Sequence, residues 1–228
     1  KMRYRYAVFD MDGTLLDTMK YWRSAAFEIA KQRGVKGMTD DLECVLRKMT
    51  VRSGLEYIRS LTGTNLLDKV SFQDVLSVIE YHYRHSAEPK KGAVEFLEAL
   101  AEKNIPMCVA SATPGKQVEI ALEKTGIRDY FDFILTPDDY PKGKHDPDIF
   151  HAVLRKFDCE AEDVALFEDA LYSIKTAKAL GFYIVGVEDE FEIKNKEEIL
   201  TLCDEYIPEE RGFIKAAAKI HKRMDTVR

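Results

Sequence analysis

The chain has 228 residues, 46% hydrophobic, 32% charged and 11% aromatic, which is enough apolar material for a substantial globular core and argues against disorder. Its formal net charge of −6, from 34 Lys and Arg against 40 Asp and Glu, gives no general attraction to nucleic acid or an anionic membrane, so an anionic substrate needs locally placed cations. No apolar run approaches the roughly 18 residues of a membrane span, the first ten residues lack the apolar core of a secretory signal, and Cys44, Cys108, Cys159 and Cys203 form no C-x-x-C pair, so ordinary thiols in a cytoplasmic protein are expected.

In chain order, Tyr6–Phe9 comes first, a short continuous apolar run of the kind found in strands covered on both faces. It runs into "DMDGT", where Asp10 and Asp12 stand one residue apart ahead of Gly13 and Thr14. At about 4 Å and an effective dielectric near 20, two carboxylates repel by roughly 4 kcal/mol. Stability does not explain such a pair, so a cation or a chemical task should offset it.

From Thr18 to Ser86 the pattern changes. "MKYWRSAAFEIAKQRG", "TDDLECVLRKMT", "RSGLEYIRSLTG" and "SFQDVLSVIEYHYRHS" are four helical patterns punctuated by Gly, Thr and Ser, with no convincing strand. Residues 18–86 therefore read as a small all-helical domain inserted after the first strand, and Pro89 and Gly92 mark the return. "GAVEFLEALAEKN" then places Ala93, Phe96, Leu97, Leu100 and Ala101 on one helical face. "MCVASA" reads as a strand and "GKQVEIALEKTG" as a helix stopped by Gly126. Further strand-like runs lie at Phe133–Leu135, 164–167 and Tyr183–Val187, and "RGFIKAAAKIHKRMDTVR" closes the chain as an amphipathic helix. Strands alternating with helices predict α/β architecture on a mainly parallel sheet, built from residues 1–17 and 87–228. Ligands in such sheets bind beyond the carboxyl ends of strands. Asp10, Asp12, Ser111, Glu168 and Asp169 all stand at such ends.

A lone Asp there is ordinarily turn chemistry, and Glu168 and Asp169 could simply favour the start of a following helix. The second acid and the Gly-Thr that follows it change the balance, because Gly13 permits a sharp turn and close approach to an anion. Asp10 and Asp12 could then share a divalent cation with Asp169, and an oxygen-only donor set suits Mg²⁺ over zinc.

"DMDGTLLDT" resembles the first motif, D-x-D-G-T/V-x-x-D-T/S, of the haloacid dehalogenase superfamily. "VASAT", "GKHDPDIF" and "LFEDALYSIKTAKALG" resemble its second, third and fourth motifs, in order and spacing. The resemblance implies a three-layer Rossmann-like core with a helical cap, and a Mg²⁺-dependent phosphomonoesterase acting on a small phosphorylated metabolite of the sugar phosphate or phosphoglycolate type. It implies that Asp10 is the nucleophile that becomes an aspartyl-phosphate. By the same resemblance, Asp12 would be the general acid and base, with its backbone carbonyl on the metal. Ser111 and the amide of Ala112 would hold the phosphoryl oxygens, and Lys144 would neutralise charge. Asp169, helped by Glu168, would complete the metal site. The retained second acid favours phosphoryl transfer over dehalogenation, since the family's dehalogenases lack it. The motif register selects Lys144 over Lys142. Two departures stand out: His145 where the third motif usually has Pro, expected to face solvent, and Ser173 where the fourth often has Gly.

Within the cap, "LRKMTVR" places Lys48 and Arg52 four residues apart, expected on one helical face that could grip a second phosphate or a carboxylate. A solvated basic stripe is the plain alternative. The pattern resembles the β-phosphoglucomutase branch, the rival reading. That branch carries a His five residues beyond the Asp that ends the first motif, where this chain has Trp22, which cannot shuttle a proton. His82 and His85 are expected at the surface and do not replace it. Hydrolysis is therefore preferred to a mutase, and a non-catalytic phospholigand-binding protein is the third reading. For the oligomeric state, the sequence points no further than monomer or weak dimer.

Overall fold

The computed structural model describes residues 4–214 and 216. The chain divides after Asp17 and again after Ala87 into a discontinuous unit and an inserted one, Thr18–Ala87.

The elements run β1 (Tyr6–Phe9), α1 (Met19–Gln32), α2 (Asp40–Leu46), α3 (Val51–Thr62), α4 (Phe72–His85), α5 (Ala93–Glu102), β2 (Met107–Ala110), α6 (Gly115–Lys124) and β3 (Phe133–Leu135). There follow α7 (Asp148–Phe157), β4 (Val164–Glu168), α8 (Leu171–Ala179), β5 (Tyr183–Val187), α9 (Lys196–Leu202) and β6 (Glu205–Ile207). The discontinuous unit carries one six-stranded sheet in the order β3-β2-β1-β4-β5-β6, parallel throughout. The strand order reverses at β1, so the crevice between the carboxyl ends of β1 and β4 is the switch point at which such sheets bind ligands.

Alternate residues of each strand face opposite ways, and both faces are covered. Val8, Cys108, Ala110, Leu166 and Ile184 join Ile149, Phe150 and Val153 of α7 and Ile174 and Ala177 of α8 in one cluster. On the other face Phe9 stacks on Phe167 at 4.5 Å and meets Phe96 of α5 edge-on at 6.2 Å. Phe213 packs on Phe96 at 5.3 Å. This is a three-layer α/β core. α5 buries Ala99 and leaves Ala101 exposed, so its buried stripe lies slightly off the predicted face. β6 was not expected: its three residues bury only Ile207, and it forms because β5 offers a parallel edge. The helix expected from Arg211 to the end of the chain falls almost wholly outside the described residues. Among the described residues, no helix is long and apolar enough to cross a membrane.

The inserted unit is all helical. Ala26, Phe27, Ala30, Leu46, Leu55, Ile58 and Leu66 form its core. Its helices start where the sequence supplies caps. Thr39 accepts from Leu42 N, Thr50 from Ser53 N, and Ser71 and Asp74 form a reciprocal capping box. Two expectations fail here. Lys48 and Arg52 do not share a helix, because Thr50 adopts an extended conformation and starts α3 between them. Lys48 lies exposed in the preceding turn, and Arg52, with its side chain 84% exposed, pairs with Glu56 at 3.4 Å. His82 is only partly at the surface: its ring stacks on Tyr21 at 4.4 Å, and Nε2 lies 2.8 Å from Glu28. His85 is exposed, as expected. Trp22 packs within this unit and donates its indole N–H to the Tyr83 hydroxyl at 3.1 Å.

Candidate active site

Parallel pairing sets the site's register. Phe9 sits opposite Val109 and Phe167, so Asp10 emerges level with the last residue of β2 and with Glu168. The Asp10 amide donates to Phe167 O at 3.0 Å. Beyond it the chain folds back sharply: Gly13, at φ 86°, donates to Leu16 O at 2.9 Å, and Leu15 and Leu16 both donate to Met11 O at 3.0 Å. A positive φ of this kind is easy for glycine and strained for residues with a Cβ.

Asp10 is 5% exposed, Glu168 0%, Asp169 4% and Lys144 2%. Lys144 is carried on a 3₁₀ turn, Gly143–His145. Its ammonium bonds Asp10 Oδ1 and, at 2.8 Å, Glu168 Oε2. Lys142, two residues earlier, is 72% exposed and pairs with Asp146 at 3.1 Å, so burial separates the two lysines. Glu168 is saturated on its other side, where Oε1 accepts from the amides of Asp169 and Ala170, each at 3.1 Å. Asp169 Oδ1 accepts from Thr14 Oγ1 at 3.0 Å.

Asp12, whose charge also acts to raise Asp10, accepts at Oδ2 from Thr113 Oγ1 at 2.8 Å. Thr113 in turn donates its amide to Ser111 Oγ at 3.1 Å, which ties the end of β2 to the loop after β1. Ser111 is buried and Ala112 exposed. Thr14 and Thr113 belong to the quoted motifs, but nothing in the spacing shows that their hydroxyls hold acids 155 and 101 residues away. Lys48 and Arg52 belong to the inserted unit.

The electrostatics follow from burial. For Asp10, desolvation comes first and the Glu168 charge second, and Lys144 only partly offsets them, so its carboxyl is pushed up to about 7. Asp169 lies well above the usual carboxylate range through burial and the charges of Asp10 and Glu168. Burial would raise Glu168 too, but its contact with Lys144 outweighs this and holds it below its ordinary value. The same two acids lift Lys144, against its own desolvation.

One oxygen from each of Asp10, Glu168 and Asp169 lies within 4.8 Å of the others. Asp10 Oδ2 is buried with no hydrogen-bond partner. With all three carboxyls ionised, three carboxylates against one ammonium carry a formal charge of −2 in a buried site, which one divalent cation would cancel. Asp10 and Asp169 retain oxygens for it, and hard oxygen donors fit Mg²⁺. The residues present fit the metal.

A family model for haloacid dehalogenase-like hydrolases matches residues 7–187. A phosphorylated carbohydrates phosphatase of Thermotoga maritima is 30% identical over 182 residues, covering 76% of this chain and 80% of the relative. A (DL)-glycerol-3-phosphatase of Arabidopsis thaliana is 30% identical over 224 residues, covering 91% of each chain. Among solved structures, a Thermotoga maritima protein provisionally assigned as a β-phosphoglucomutase superposes with a TM-score of 0.75 at 24% identity, covering 98% of this chain and 99% of that one. With the family match spanning the first strand to the end of β5, the chain belongs to the haloacid dehalogenase-like hydrolases.

Proposed function

We propose that the protein is a Mg²⁺-dependent phosphomonoesterase that cleaves a small phosphorylated metabolite through an aspartyl-phosphate. The observation that carries this reading is the buried cluster of Asp10, Glu168, Asp169 and Lys144. Its residual negative charge and its orphaned Asp10 oxygen serve no packing purpose. Asp10 and Asp169 would hold the cation, with the Asp12 carbonyl beside them. The bound cation supplies positive charge that keeps Asp10 ionised and balances the charge of the transferred group.

Asp10 attacks phosphorus, and the ester P–O bond breaks. Asp12 delivers its proton to the departing alkoxide oxygen, with Thr113 fixing the carboxyl's direction. Asp12 then takes a proton from water as that water attacks the same phosphorus, which releases phosphate and restores Asp10. Lys144 neutralises the nucleophile and transferred oxygens throughout, while Glu168 anchors the ammonium. Ser111 and the Ala112 amide receive the remaining phosphoryl oxygens. Thr18–Ala87 serves as the cap that excludes water and selects substrate.

Support for a metabolite phosphatase comes from the two 30%-identical relatives. Trp22, engaged with Tyr83, supplies no histidine for a mutase shuttle. The test is free phosphate released from hexose, pentose and polyol phosphates, phosphoglycolate and nucleoside monophosphates, with EDTA and Asp10→Asn controls. Mg²⁺-dependent release lost in Asp10→Asn supports the reading. Conversion of β-glucose 1-phosphate to the 6-phosphate with little free phosphate would establish the mutase instead.

A further inference from the structure

The turn that carries Lys144 departs from the expected motif at the next residue, His145. Within the turn the backbone bonds are local, and the Asp146 amide reaches Gly143 O only at 3.4 Å. Gly143, at φ 60°, donates to Tyr140 O at 2.8 Å, and the neighbouring Lys142–Asp146 pair is solvent-exposed on its lysine side. His145 is itself exposed, yet its ring lies flat on Tyr172, with centroids 4.0 Å apart and planes 20° from parallel. Tyr172 is the second residue of α8, the helix that begins directly after Glu168, Asp169 and Ala170. It is near enough to Lys144 for the ammonium to act on its hydroxyl, although burial dominates and pushes that group up to about 12. The stack thus joins the turn bearing the cation to the helix that follows directly on two of the acids.

We propose that His145 is a positioning residue, whose stack on Tyr172 holds the 143–145 turn against α8 and keeps the Lys144 ammonium seated between Asp10 and Glu168. A proline would restrict such a turn through its own ring. Here the restraint comes from a side chain on the neighbouring helix. The kinetic consequence rests on the phosphatase reading, while the seating of Lys144 does not.

The test is limited acetylation of the full chain with acetic anhydride, read by peptide mass spectrometry, with exposed Lys124 as internal reference. In the wild type Lys144 is protected. His145→Ala raises its labelling about tenfold relative to Lys124, and His145→Phe, which can still stack, keeps it protected. Tyr172→Leu removes the stack from the other side and gives the same exposure if His145→Ala folds poorly. Protection that persists in both His145→Ala and Tyr172→Leu overturns the proposal, as does His145→Phe labelling as readily as His145→Ala. In turnover, His145→Ala lowers kcat about tenfold with KM nearly unchanged, because a displaced ammonium weakens transition-state contacts. It costs nothing further in a Lys144→Ala background. A raised KM that persists in that background would make His145 a substrate contact and overturn the positioning role. A wild type that releases no phosphate from any monoester would defeat the phosphatase reading, while the labelling still decides whether the stack seats Lys144.

Discussion

Asp10→Asn should stabilise the metal-free protein even as it abolishes turnover. The Asp10 carboxyl goes from 3.8 in its ordinary setting to about 7 in the fold. An acid whose folded pKa is raised contributes nothing below the unfolded value, where both states hold the proton. As pH climbs from about 4 to 7 the unfolded chain ionises first, so folding stability falls, and above about 7 the loss is complete. Three pH units at about 1.4 kcal/mol each set a ceiling of about 4 kcal/mol, shared with Glu168 and Asp169 because the three acids interact. Asparagine keeps the shape and can still accept from Lys144, but it carries no charge. The assay is urea unfolding by far-ultraviolet circular dichroism in EDTA from pH 5 to 8, taken as the difference between variant and wild type so that other titrating groups cancel. The variant should gain on the wild type as pH rises, by one to several kcal/mol at pH 8, and saturating Mg²⁺ should shrink the gap by stabilising the wild type. A difference that stays flat across this range, with and without Mg²⁺, would refute the electrostatic account of the cluster.

Lys144→Ala leaves two buried acids without their ammonium and should cost about 3–5 kcal/mol in the metal-free protein. It should also cost at least about a hundredfold in kcat. Lys142→Ala, at an exposed position, should stay within about 0.5 kcal/mol of wild type, and parity between the two lysines in urea unfolding and phosphate release would contradict the site. Thr113→Val removes the hydroxyl that orients Asp12, so kcat should drop about tenfold with KM held; an unchanged kcat would deny Thr113 that role. Ser71→Ala removes a capping box and should cost the inserted unit about 1 kcal/mol, read through the fluorescence of Trp22, the single tryptophan.

Four of the five strands read in the sequence are almost fully buried, where parallel pairing demands continuous apolar runs such as the Val164–Phe167 part of β4, and the fifth, β3, is an edge strand whose Phe-Ile-Leu run is apolar throughout. β6, at the other edge, escaped because Glu205-Tyr206-Ile207 begins with an exposed acid and forms no apolar run. The buried acids were legible because like charges at a strand end contradict packing logic. Thr14 and Thr113 were not, since a hydroxyl's partner depends on which strands become neighbours, and that is a tertiary fact. Lys48 and Arg52 misled for a local reason: residues four apart share a face only if the helix is continuous, and Thr50 starts a new one. His82 looked solvated because helical spacing does not reveal that Tyr21 and Glu28 of α1 would cover it.

The central claim is that Asp10 accepts the phosphoryl group, and the most direct measurement is to catch it there. Rapid acid quench of the Mg²⁺-loaded protein mixed with its best monoester, followed by peptide mass spectrometry, should show a hydroxylamine-labile phosphoryl adduct on Asp10. The adduct should vanish in EDTA and in Asp10→Asn, together with phosphate release. Sustained phosphate release from Asp10→Asn, with no adduct on the wild-type peptide, would contradict the account.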